Sequence, residues 1–122
     1  MGDRAIAIRL RAGRPAVLFV PTVCGAMGNC RWRLYDSRSG QFLGELSGQF
    51  IYARTATGGW PSIVVHFRNG YCNAVLVRHE MQAGRYVATG EAEIGETTPG
   101  VECDLLRGTL ARARRLCSTY GS

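Results

Sequence analysis

The stretch Ile63-Val64-Val65-His66-Phe67-Arg68-Asn69-Gly70-Tyr71-Cys72-Asn73-Ala74-Val75-Leu76-Val77 is the part of the sequence that says most about the fold. Asn69-Gly70 separates two runs rich in β-branched and aromatic residues, and both residues tolerate the positive φ angles of a two-residue hairpin turn. The sequence therefore predicts a β-hairpin. A two-residue loop would place Phe67 opposite Cys72 and His66 opposite Asn73.

This register divides the predicted hairpin into two unlike faces. The first face is apolar and is expected to belong to the core; it consists of Ile63, Val65, Phe67, Cys72, Ala74 and Leu76. The second face is mixed and is expected to be partly exposed; it consists of Val64, His66, Arg68, Tyr71, Asn73 and Val75.

The sequence around the hairpin is a series of short apolar runs separated by turn residues. Period-two alternation at 6–10 predicts a half-buried strand, and the apolar run 16–20, ended by Pro21, predicts a strand buried on both faces. Further strands are predicted at 30–35, 41–46, 49–54 and 85–89, with turns at 36–40 and 47–48. The sequence thus predicts a mainly β protein, with an antiparallel sheet, sandwich or open barrel of about seven or eight short strands.

The pattern of residues changes after residue 90. Residues 91–102 are predicted to form a linker and residues 103–117 a C-terminal amphipathic helix. Its apolar residues recur at three- and four-residue spacing: Leu106, Leu110, Ala113 and Leu116. Acidic residues open this segment and arginines close it, as the helix dipole favours. At 122 residues, we expect a single domain with a β scaffold over 1–90.

All 15 basic residues of the chain are arginines, and the formal net charge is +6. Several cluster near the two ends of the chain, at 4–14 and 107–115. Aromatic residues are not interleaved with these clusters as stacking platforms for bases would be, so we expect an acidic protein partner rather than nucleic acid. No apolar run approaches the length of a membrane span. The sequence is also compatible with a homodimer.

Five cysteines give the most specific local motif, Cys24-Gly25-Ala26-Met27-Gly28-Asn29-Cys30. Two glycines and an asparagine allow this loop to be closed by a Cys24–Cys30 disulfide. Two separate core thiols, a zinc knuckle, and a papain-type nucleophile at Cys24 are weaker alternatives, because no second Cys/His pair follows and Trp32 alternates as in a strand. Cys72 is either a disulfide partner of Cys103 or Cys117 or a buried thiol.

The sequence contains no recognisable catalytic, cofactor-binding or metal-binding motif. His66 and His79 are the only histidines, and the predicted hairpin keeps them apart, so we expect both to be solvated or hydrogen-bonded. We therefore expect a protein that is not an enzyme and has no cofactor or metal.

From Pro15 to about Ala88, the order of motifs resembles that of small exported bacterial domains. The shared motifs are the runs 23–36, 40–46 and 59–63, the first of which contains the Cys-Gly-x-x-Gly-x-Cys loop. The resemblance implies a periplasmic protein whose signal peptide has been removed and whose cysteine pair is oxidised. In size and composition the chain is also similar to lysozyme inhibitors and to immunity proteins against type VI secretion amidases. The C-terminal segment is not part of the shared pattern.

These observations favour a periplasmic protein that binds and inhibits a peptidoglycan-degrading enzyme, most specifically an immunity protein against a secreted amidase. The expected partner-binding residues lie in the loop from Ala53 to Trp60, which we call the Gly-rich loop. They are Arg54, Thr57, Gly58, Gly59 and Trp60. Arginine and tryptophan are enriched at interface hot spots. The Cys24–Cys30 loop is a second candidate surface. A basic nucleic-acid-binding module and a small hydrolase with a Cys/His site are the alternatives.

Overall fold

Eight β-strands form the described part of the chain, which covers residues 5–25, 28–68 and 73–95 of this computed structural model. The strands are β1 (Ile6–Ile8), β2 (Val17–Cys24), β3 (Cys30–Asp36), β4 (Phe42–Gly48), β5 (Phe50–Ala53), β6 (Ile63–Arg68), β7 (Asn73–Gln82) and β8 (Arg85–Gly95). Every described element is a strand, which confirms the predicted all-β scaffold. The predicted helix over 103–117, with Cys103 and Cys117, lies outside the described residues.

All eight strands belong to one curled sheet, a half-barrel with the order β1-β2-β3-β4-β8-β7-β6-β5. Neighbouring strands are antiparallel except β4 and β8, which are parallel and pair at Gly44 and Tyr86. The sheet is therefore mixed; the half-barrel agrees with the predicted mainly β architecture, and the parallel β4–β8 pair departs from the predicted antiparallel pairing. The parallel pair arises because β4 and β5 do not form a hairpin: only Gln49 separates them, and β5 pairs with β6 instead.

Two glycines let β4 come close to β6 and β8. A Cβ on Gly48 would collide with the Val65 side chain and lie 2.6 Å from the carbonyl oxygen of His66. Gly44 has φ +131°, and a Cβ there would lie 2.9 Å from the carbonyl oxygen of Tyr86. Residues 47–48, predicted to form a turn, are the end of β4, where close packing rather than turn formation requires the glycine.

The core fills the concave side of the half-barrel. It is built from buried side chains of the strands and of the segment after β1: Leu10, Val17, Phe19, Trp32, Leu34, Leu43, Leu46, Ile63, Val65 and Tyr86. The indole N–H of Trp32 donates a hydrogen bond to the carbonyl oxygen of Gly48 (3.3 Å), so the buried donor is satisfied. This core holds the ends of the strands, and the loops between them, in fixed positions.

The predicted register of the β6–β7 hairpin is wrong. Phe67 pairs with Val75 rather than Cys72, and His66 pairs with Leu76 rather than Asn73. The register differs by three residues, an odd number, so Ala74 and Leu76 lie on the face opposite to Val65. β7 pairs with β8 over ten residue pairs. That long ladder, together with burial of Leu76, outweighs the local preference of Asn69-Gly70 for a two-residue turn.

Two predicted boundaries also differ from the structure. β2 continues past Pro21 to Cys24 because the pairing register shifts between Pro21 and Val23, an irregularity that accommodates a residue without an N–H. The burial of β2 alternates, so it is not buried on both faces. β8 extends to Gly95, so residues 91–95 are strand rather than linker.

Candidate partner-binding site

The Gly-rich loop connects β5 to β6 at one end of the half-barrel. The structure places the sequence-predicted residues Arg54, Thr57, Gly58 and Gly59 on the surface, whereas Trp60 is half-buried and packs against the core. A Cβ on Gly58 or Gly59 would meet nothing within 4 Å, so the tip is open to solvent on all sides. The loop therefore has an exposed tip and a buried root.

The first half of the loop is hydrogen-bonded to the segment that follows β1. The N–H of Ala56 donates to the carbonyl oxygen of Leu10, and the N–H of Ala12 donates to the carbonyl oxygen of Ala56, both at 2.8 Å. The Thr55 hydroxyl donates to the carbonyl oxygen of Arg9 (2.8 Å). These bonds hold the loop backbone at its midpoint.

The second half of the loop is fixed by Tyr86. Its hydroxyl donates a hydrogen bond to the carbonyl oxygen of Pro61 (2.8 Å), and its ring meets the Trp60 indole edge-on at a centroid distance of 6.0 Å. Burial raises the pKa of the Tyr86 phenol, so the hydroxyl stays protonated and remains a donor. Pro61 and Ser62 are themselves buried. Only a short tip between Ala56 and Trp60 is left without this support.

Arg11 covers the exposed side of the loop root. Its guanidinium carbon lies 3.8 Å from the centroid of the Trp60 ring, the geometry of a cation–π contact. Sequence reasoning missed Arg11, because its contact with Trp60 spans 49 positions and depends on the bridge that pairs Arg11 with Ala56. Trp60 thus packs beneath the loop, and one face of its ring is in contact with Arg11.

The surroundings of the loop are basic. Arg9, Arg14 and Arg54 are exposed at this end of the half-barrel, and the Arg9 guanidinium donates to the carbonyl oxygen of Arg14 (2.7 Å). Asp36 lies close enough to Arg11 for the charge of the arginine to lower its pKa. The Asp36 carboxylate also accepts hydrogen bonds from the backbone N–H groups of Arg38 (2.9 Å) and Ser39 (2.8 Å). These hydrogen bonds, Ser39 first, and the charge of Arg11 hold the pKa of Asp36 below its usual range.

The predicted disulfide between Cys24 and Cys30 is present, with an S–S distance of 2.04 Å. It joins directly opposed residues at the adjacent ends of β2 and β3. The sulfur of Cys24 is therefore bonded and is not a free thiol. Beside the disulfide is an open cleft of about 200 Å³, lined in part by Val23, Arg31 and Phe67. This volume is below the usual range of small-molecule sites.

The structure does not bring the two candidate loops together. The Gly-rich loop enters β6 at Ile63, whereas Asn29 of the disulfide loop is hydrogen-bonded to Arg68 at the other end of β6. At about 3.3 Å per residue, six strand residues separate the two loops by roughly 17 Å. The two loops therefore form surfaces at opposite ends of the half-barrel.

Both histidines are buried rather than solvated, and neither ring nitrogen of His66 has a hydrogen-bond partner, so the expectation that they are solvated or hydrogen-bonded is wrong for His66. His66 is 2% exposed and His79 is 6% exposed. They point to opposite sides of the sheet, because His79 pairs with Ile63, three positions away from His66. Burial lowers the pKa of each imidazole, which favours the neutral form. Neither lies beside the Gly-rich loop tip.

A second group of arginines lies beside aromatic rings on β3, β4 and β8. The guanidinium carbons of Arg33 and Arg85 lie 4.8 and 4.9 Å from the centroid of the Phe42 ring. The Phe42 ring also contacts Tyr35, and Arg33 is paired with Glu45 at 3.4 Å. This group could not be predicted from the sequence, because its members come together only through strand pairing.

Within the described residues, no group of three or more histidines, cysteines, aspartates or glutamates is placed to hold a metal ion. The same part of the chain contains no helix that is long and apolar enough to cross a membrane. No family model, no curated protein and no solved structure matches the chain.

Proposed function

We propose that this protein is a periplasmic inhibitor of a peptidoglycan-degrading enzyme, most specifically an immunity protein against a secreted amidase, and that the exposed tip of the Gly-rich loop enters the enzyme's cleft. The proposal rests on one observation: hydrogen bonds hold the loop backbone on both sides of the tip, at Ala56 and at Pro61. An inhibitor loop that is ordered before binding loses little conformational entropy when it binds.

The shape of the tip fits insertion into a cleft. Thr57, Gly58 and Gly59 have small side chains or none, so the backbone itself can approach the walls of a narrow site. The root is wider and contains the stacked pair of Arg11 and Trp60, residue types that dominate many interfaces. The narrow tip would fill the cleft, and the broader root, with its aromatic and cationic side chains, would cover the rim of the cleft.

The charge around the loop suggests the chemistry of the partner. Arg9, Arg14 and Arg54 are exposed near the tip, and the nearby Asp36 is engaged in its own turn. A cleft with carboxylates at its rim would be attracted by this surface and would associate faster at low salt. The disulfide at the opposite end supports the periplasmic compartment, because disulfides persist in oxidising environments.

The direct test asks first whether a gene beside that of this protein encodes a peptidoglycan amidase, and then mixes the two purified proteins, with a lysozyme-type enzyme in parallel. We expect stoichiometric complex formation and loss of peptidoglycan hydrolysis when the two proteins are mixed. An amidase that is neither bound nor inhibited at micromolar concentrations would exclude the immunity function.

Two charge-reversal variants test whether the loop is the binding surface. Arg54→Glu places a negative charge beside the tip, whereas Arg31→Glu makes the same change on an exposed residue at the disulfide end. We expect Arg54→Glu to raise the dissociation constant about tenfold or more and Arg31→Glu to change it little. Equal effects of the two variants would argue for general charge attraction instead of loop insertion.

The arginine and aromatic group around Phe42 favours one alternative, binding of single-stranded nucleic acid. Guanidinium planes held over aromatic rings resemble the surfaces on which bases stack. Affinity for a single-stranded oligonucleotide would then fall steeply with salt and would be reduced by Arg85→Glu. Absence of binding at about 50 mM salt would exclude this alternative.

A further inference from the structure

The convex side of the sheet carries a buried apolar patch, which we call the outer face. It consists of Val64 and His66 on β6 and Ala74 and Leu76 on β7, which pairing places on one side of the sheet; Arg78 and Arg68, opposite Val64 and Ala74, flank it on the same side. Their exposed fractions are 0%, 2%, 1% and 0%. The intervening residues Ile63 and Val65 point the other way, into the core.

The described strands do not account for this burial. None of the four residues belongs to the core cluster, and the main contacts of β6 and β7 among the described strands are with β4, β5, β8 and each other. Side chains on an uncovered sheet face remain accessible from above, whatever their neighbours in the sheet. The burial of these four residues therefore requires a cover that the described strands do not supply.

We propose that the outer face is the docking surface for this chain's own C-terminal segment, residues 103–117. The last residue of β8, Gly95, pairs with Asn73, so the chain leaves the sheet directly beside Ala74. Residues 96–102 are enough to reach over the face. The segment also has the right length: a helix of 15 residues is about 22 Å long, and the four strands from β8 to β5 span roughly 14 Å.

The sequence of the segment complements the outer face. Its apolar residues Leu106, Leu110, Ala113 and Leu116 fall on one side of the predicted helix, and its arginines fall largely on the other. Two residues of β8 that pair with this part of β7 are small, Ala92 opposite Leu76 and Gly90 opposite Arg78, whereas Ile94 pairs with Ala74. A leucine-rich helix can thus pack closely on β7 at Leu76.

His66 indicates that the cover is apolar. Neither ring nitrogen of His66 has a hydrogen-bond partner, and its ring contacts Phe50 at a centroid distance of 5.5 Å. Burial, and after it the charge of Arg68, lower the pKa of this imidazole, so it is held neutral. A charged or strongly polar cover would supply partners for these nitrogens, whereas a leucine stripe would not.

The test uses NMR spectroscopy of the intact protein. His66 and His79 are the only two histidines, so their ring protons are easily resolved and assigned. We expect nuclear Overhauser effects between the His66 ring and the leucine methyl groups of the segment within a single chain. Such effects only between differently labelled chains, or between His66 and another part of the chain alone, would overturn the proposal.

Two variants give an independent measurement in the full-length chain. Leu110→Asp places a charge in the apolar stripe, and Ala111→Asp places the same charge on the far side of the predicted helix. We expect the first to expose His66 and raise its pKa toward the ordinary histidine value, with His79 inside the barrel unchanged, and the second to alter neither.

Each outcome of the variant experiment has a definite meaning. An unchanged His66 in Leu110→Asp, or an equal change in both variants, would overturn the proposal. Should Leu110→Asp unfold the whole chain, the Overhauser effects in the unmodified protein decide the matter. Because no residue of the outer face belongs to the partner-binding loop, the result does not depend on the proposed inhibitory function.

Discussion

The side-chain amide of Asn29 pairs with both main-chain groups of Arg68. Its Oδ1 accepts from the Arg68 N–H at 2.9 Å, and its Nδ2 donates to the Arg68 carbonyl oxygen at 2.7 Å. One side chain thus acts as an additional strand residue and ties the disulfide loop to the end of β6, 39 positions away. Neither the spacing of the cysteines nor the local sequence predicts this link.

Removal of the Asn29 amide should destabilise the protein. Asn29→Ala removes two part-buried hydrogen bonds to the main chain of Arg68, so we expect the free energy of unfolding to fall by about 1–3 kcal/mol. Asn29→Asp keeps the acceptor but places a carboxylate oxygen against the Arg68 carbonyl oxygen, so we expect it to be destabilised as well. Urea denaturation of the three proteins measures both changes, and an alanine variant as stable as the original would show that the link is not stabilising.

Gly48 should tolerate no side chain. In Gly48→Ala the new methyl group would overlap Val65 and the carbonyl oxygen of His66, so β4 could not stay against β6. We expect a loss of at least about 3 kcal/mol, or failure to fold. Gly58→Ala is the matched control, because its methyl group would meet nothing within 4 Å. Similar thermal midpoints for the two variants would contradict the close approach of β4 and β6.

Thiol titration tests the disulfide directly. With Cys24 bonded to Cys30, we expect at most three reactive thiols among the five cysteines in unfolded, unreduced protein. Five would contradict the disulfide. Replacing both residues by serine removes a cross-link that closes a short loop, which should lower the free energy of unfolding by about 2 kcal/mol. The double variant should still fold, because Asn29 also fixes this loop.

Acidification should destabilise the protein through its two histidines. Burial depresses the folded-state pKa of His66 and His79, so the unfolded chain takes up protons first as the pH falls. Their contribution to stability is complete above the ordinary histidine pKa and is lost as the pH falls through that value toward the depressed one. The slope can reach about 1.4 kcal/mol per pH unit for each histidine. Urea denaturation between pH 7.5 and 5, repeated for His66→Gln and His79→Gln, should show a shallower dependence in each variant.

The general form of the fold follows from the sequence because alternating apolar residues and turn residues are local features. The number of strands, the disulfide and the exposure of the Gly-rich loop could all be predicted from such local features. The register of the β6–β7 hairpin was not, because the long β7–β8 ladder overrides the Asn69-Gly70 turn. For the candidate site, residues such as Arg54 could be chosen from composition. Arg11 and Tyr86, which hold the loop, could not, since their contacts connect distant parts of the chain.

The single residue between β4 and β5 affects how the chain folds. Strands β1 to β4 pair in sequence order, as do β5 to β8, so each half of the chain can assemble from local hairpins. The contact between Gly44 and Tyr86 joins the halves only after β8 is in place, 42 residues later. Because contacts distant in sequence form slowly, we expect two rapidly formed meanders and a slower step in which β8 closes onto β4. A chain emerging from the ribosome would therefore keep an unpaired β4 edge until its eighth strand is made.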